Sequence, residues 1–67
     1  MVYDVIVTSV SGKKYNCIYN DVSRYMSGRE IVKELCSDTP LELKAVDDGS
    51  TVFLNTSVIE TIELKRR

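Results

Sequence analysis

A chain of 67 residues has room for one hydrophobic core and no second. Nine basic residues against ten acidic ones leave a formal charge of −1. That balance lacks the basic excess of a polyanion binder and the large acidic surplus of a nucleic-acid mimic. There is no histidine, and the two cysteines, Cys17 and Cys36, are too few and too far apart to build a structural zinc site within one chain.

The first segment, residues 2–10, is rich in β-branched side chains and alternates. Tyr3, Val5 and Val7 fall on one face, with Asp4, Ile6 and Thr8 on the other. Ser11-Gly12 punctuates the run, and residues 13–19 resume the extended pattern with Tyr15, Cys17 and Tyr19 on a common face. Two such runs joined by a glycine-containing turn predict an antiparallel hairpin. Asn20-Asp21 ends the second strand, since both residues favour turns and caps. Residues 22–26 are ambiguous, because Val22, Tyr25 and Met26 fit a helical turn that Gly28 interrupts.

Ser27-Gly28-Arg29-Glu30 has the spacing of a capping box and predicts a helix start. Ile31, Val32, Leu35 and Cys36 then share a 3.6-residue stripe, opposite Arg29, Lys33 and Glu34. Pro40 biases its predecessor away from the helical region, so the helix stops within residues 37–40. Leu41, Leu43 and Ala45 alternate with charged neighbours as a third strand. Asp47-Asp48-Gly49-Ser50 forms the next turn, and Thr51-Val52-Phe53-Leu54 returns. Asn55-Thr56-Ser57 predicts a kink of one 3₁₀ turn. Residues 58–64 read as a last strand in which Val58, Glu60, Ile62 and Leu64 alternate with Ile59, Thr61 and Glu63. Lys65-Arg66-Arg67 reads as a frayed basic tail. The expected architecture is one α+β domain of order β-β-α-β-β-β. Its sheet is a strongly bent antiparallel one, or a partly open barrel of SH3-like or Sm-like kind, since curvature lets few residues enclose a core.

Nothing in this pattern supplies catalysis. A thiol nucleophile needs a base or cationic neighbour, whereas Cys17 alternates with tyrosines and Cys36 sits on the apolar helical stripe. Asp47 and Asp48 are adjacent carboxylates of the kind a strand–strand turn itself requires. No phosphate-binding glycine loop or nucleophile elbow occurs. The expectation is therefore a protein that is not an enzyme and uses no metal or cofactor. The chain opens on Met1-Val2-Tyr3-Asp4 without a signal-peptide pattern, and its apolar runs are far too short to cross a membrane. That predicts a cytoplasmic protein in which a Cys17–Cys36 disulfide is disfavoured.

Four tyrosines, with Met26 and Phe53, are a large aromatic and flexible complement for so small a chain. Such residues anchor interfaces, and Tyr15, Tyr19, Tyr25 and Met26 are the expected contacts to a protein partner. A core this small also favours self-association into a homo-oligomer. An alternative assigns Lys13, Lys14, Tyr15 and Tyr19 to a basic-aromatic hairpin that stacks the bases of single-stranded nucleic acid. A second alternative is small-ligand sequestration between subunits. The ending Asp48-Gly49-Ser50, Val52-Phe53-Leu54-Asn55 and Val58-Ile59-Glu60-Thr61-Ile62-Glu63 resembles that of small Gram-positive and phage-encoded SH3-like or Sm-like barrel proteins. It is similar also to flagellar FlbD-type small proteins. The likeness is one of fold and brings no functional residue with it. The function these readings favour is a binding module that works as an inhibitor or adaptor by occupying a partner's surface, as small phage-encoded or bacterial proteins do.

Overall fold

The computed structural model describes residues 2–21, 26–37 and 40–67. Strands β1 (Val2–Ser9) and β2 (Lys14–Asn20) form the predicted hairpin, in register from Val2 opposite Asn20 to Thr8 opposite Lys14. Gly12 closes it with a φ of 88°, a left-handed value that side chains with a Cβ avoid. β3 (Leu41–Ala45) and β4 (Thr51–Leu54) form a second hairpin from Leu41 opposite Leu54 to Lys44 opposite Thr51. Its turn is fixed by Gly49 at φ 74° and by Asp48, whose Oδ1 accepts from the Ser50 backbone N–H (2.9 Å) and hydroxyl (2.7 Å). After one 3₁₀ turn (Thr56–Val58), β5 (Ile59–Arg66) lies antiparallel to β1.

The five strands make a single sheet of order β4-β3-β2-β1-β5, antiparallel throughout. β4 and β5 stand at opposite edges, so the sheet is open. The expected α+β class and element order hold, in their open form. Pairing of β2 with β3 is confined to Tyr15 opposite Ala45 and Asn16 opposite Lys44. After Asn16 the two strands part.

Strand alternation gives the sheet an inner and an outer face. On the inner face Val5 lies between Cys17 and Leu64, and Val7 lies between Tyr15 and Ile62. Val5, Val7, Tyr15, Leu41 and Leu43 form the buried core, lined by half-buried Cys17, Tyr19, Leu35, Val52, Leu54, Ile62 and Leu64. Helix α1 (Gly28–Ser37) covers part of this face with the predicted stripe. Ile31 is fully buried, and Val32, Leu35 and Cys36 are half-buried. Its first residue, Gly28, stands over Leu64 of β5, where an added Cβ would come 3.6 Å from the leucine Cδ1.

Three expectations change on contact with the structure. At the helix start the Ser27 hydroxyl accepts from the Glu30 backbone N–H (3.2 Å), as a capping box requires. The Glu30 carboxylate, however, accepts from the serine hydroxyl (3.3 Å). In β5 the alternation shifts, because Thr8 faces Thr61 while Ser9 faces Ile59. Glu60 is the extra residue of a bulge, so Ile59 joins Ile62 and Leu64 on the inner face. The basic ending is no frayed tail either. Lys65 and Arg66 are strand residues, and Arg67 donates its backbone N–H to the Val2 carbonyl (2.9 Å) and its guanidinium to Asp4. Pairing along β1 orders these residues, which local composition does not reveal.

Candidate functional site

The tyrosines expected to offer a surface are mostly spent on the interior. Tyr15 is 9% exposed and belongs to the core, which corrects its assignment as a partner or base-stacking residue. Tyr19 is half-buried. Its phenol donates to Glu34 Oε2 (2.7 Å) and lies 3.6 Å from the Met26 sulfur, so β2, the helix and the segment before it meet at this ring. The Glu34 carboxylate holds the phenol in its protonated form and pushes its pKa up to about 12. Tyr19 and Met26 are thus brought together, whereas Tyr25 lies outside the described residues. Lys13 and Lys14 are exposed, and Lys14 projects from the face opposite Tyr15 and Tyr19. The four residues of the nucleic-acid reading do not converge on one surface.

Of the groups considered for chemistry, Cys17 lines the core and Asp48 holds the second turn. Cys17 and Cys36 are free thiols, and burial pushes the Cys17 thiol up, away from the reactive thiolate. Asp48 is held below the usual carboxylate range by its bonds from Ser50, the role of a turn residue. Among the described residues no three histidine, cysteine, aspartate or glutamate side chains gather to hold a metal. No described helix is long and apolar enough to cross a membrane.

The surface left over is the outer face of the sheet, which α1 does not cover. Where β2 and β3 part, a trough of about 720 Å³ opens. Ile6 and Ile18 line it from β1 and β2, beside Asn16, and the parted strands bring Cys17 and Leu43 to its wall. One rim carries Glu42, Lys44 and Thr51; the other carries Asp4, Lys65 and Arg67. Asp4 and Arg67 close an exposed ion pair at 2.9 Å, which raises the guanidinium pKa and ties the chain end to β1. Phe53 is the cross-strand neighbour of Glu42 on this face, and both Phe53 and Ile18 are 61% exposed. Water-facing apolar side chains of this size, set beside a concavity, gain by being covered.

Sequence reasoning missed this face although it left a trace. Ile6, Ile18 and Phe53 each occupy the polar phase of an alternating strand, where a hydrophilic residue is the rule. The trough could not be foreseen, because it arises from the loss of β2–β3 pairing after Asn16. Compared with known proteins, the chain matches no family model, no curated protein and no solved structure.

Proposed function

We propose that this protein is a non-enzymatic binding module that self-associates and acts by occupying the surface of a partner protein, as an inhibitor or adaptor. The observation that carries the reading is the uncovered outer face, with Ile18 and Phe53 exposed beside the trough. Its rims mix both signs, with Asp4 and Glu42 among Lys44, Lys65 and Arg67. Three cations against two carboxylates are too small an excess to hold a polyanion, whereas a protein surface offers both signs together with apolar area. The apolar core and the helix then serve as scaffold, and the sheet presents its solvent face.

The test is an Ile18→Asp/Phe53→Asp double variant. Both side chains are mostly in water already, so the folded state loses little, about 0.5 kcal/mol or less per site in chemical denaturation. A partner recovered specifically by the wild-type chain, then titrated in purified form, should lose its affinity for the double variant. Equal binding by the double variant, or recovery of no specific partner by the wild type, would remove the reading.

A further inference from the structure

We infer that the self-association runs through the β5 edge, two copies joining their β5 strands antiparallel about a two-fold axis at Leu64. This builds on the self-association named above and supplies its interface. β5 is an edge strand of eight residues without proline, and no described strand pairs with its outer side. An edge of that kind is a template for another strand unless charge or shape prevents it. Ile62 and Leu64 face the core yet remain half-buried, as expected of an edge with a neighbour on one side only.

The charges on β5 choose the occupant. Glu63 and Lys65 are exposed, share the outer face and are separated by one residue. Antiparallel pairing about Leu64 sets Glu63 opposite the second copy's Lys65 and Lys65 opposite its Glu63. On the inner face the same register sets Leu64 against Leu64. Moving the axis to Glu63 puts that carboxylate against itself, and moving it to Lys65 does the same to the ammonium. A slip by one residue exchanges the inner and outer faces. Of these registers the axis at Leu64 alone sets Glu63 against Lys65 on both sides and leaves no like-charged pair at its centre. β4, the other edge, has four residues, Thr51-Val52-Phe53-Leu54, and no charge with which to specify a register. A two-fold joint also closes on itself and leaves the trough on the outer face open.

Sedimentation velocity across a micromolar concentration series tests this with three chains: wild type, Glu63→Lys, and Glu63→Lys/Lys65→Glu. Within one copy Glu63 faces Ile6, so E63K changes no intrachain ion pair while setting lysine against lysine across the joint. Lys65 faces Asp4, and the exchange there sets a second carboxylate beside the Arg67 guanidinium that already holds Asp4. The wild type should be a dimer, and E63K should weaken it by about tenfold or more, since two cross-strand attractions become repulsions. The double exchange should return the affinity to within a few fold of wild type, with circular dichroism showing all three chains folded. A wild-type dimer indifferent to E63K, or a double exchange that fails to restore it, overturns the β5 joint alone. A wild-type monomer throughout the series overturns self-association itself, while partner capture by the outer face is scored separately by the Ile18 and Phe53 variant.

Discussion

Tyr19 carries the clearest single-residue consequence of the fold. Its hydroxyl bonds a carboxylate 15 positions along the chain, and only the protonated phenol can donate that bond. Folding therefore raises the pKa from 10.0 to about 12. Between those values the unfolded chain has released a proton that the folded chain keeps, so stability is full below pH 10 and falls as pH rises toward 12. One of the four tyrosines should ionise late in an alkaline titration followed by phenolate absorbance, and Tyr19→Phe should remove that late component. Glu34→Gln keeps an acceptor but removes the charge, so the late component should move part of the way back. Because the pair is partly exposed, Tyr19→Phe should cost below about 1 kcal/mol at neutral pH. A late component that survives Tyr19→Phe would place the shifted phenol elsewhere.

At the scale of elements, α1 is short enough to depend wholly on what it covers. Ten residues form no stable helix in water, so its existence rests on the Ser27 cap and on the buried stripe. Ile31 is the fully buried member of that stripe. Removing it to alanine costs about 2–5 kcal/mol, whereas a domain of this size has on the order of 3–5 kcal/mol in all. Ile31→Ala should therefore lose most of its stability, and Ile31→Val should lose only about 0.5–1.5 kcal/mol, both read in urea denaturation. Ser27→Ala should cost about 1 kcal/mol. An Ile31→Ala chain as stable as the wild type would mean that the sheet does not depend on its helix. These elements were legible in the sequence because each has a local cause: β-branched alternation in β1 and β2, Ser27 with Glu30 at the helix start, and Asp48-Gly49 in the second turn. What local pattern could not supply was pairing at a distance. The bulge at Glu60, the continuation of β5 through Arg66 and the parting of β2 from β3 all depend on which strand lies alongside. The tyrosines misled for the same reason, since an aromatic ring suits a core and an interface equally well until burial decides.

For the whole molecule the governing fact is that one open sheet and one helix must enclose every buried side chain. The helix lies over the inner face, and among the described residues no strand pairs with either edge and no helix covers the outer face. That division ties stability to association: a chain whose folded form dimerises is stabilised by mass action as its concentration rises. Each tenfold increase adds about 1.4 kcal/mol per dimer, half of that for each chain. In a domain of this size about 1 kcal/mol moves the melting midpoint by about 4–8 °C, so the wild type should melt about 3–6 °C higher per decade of concentration. E63K, with its joint weakened, should begin to climb only at about tenfold or higher concentration than the wild type, and the double exchange should bring that onset back. A wild-type midpoint independent of concentration would mean that the folded chain is complete as a monomer, its eight-residue edge kept from pairing by the same Glu63 and Lys65 that here match a second copy.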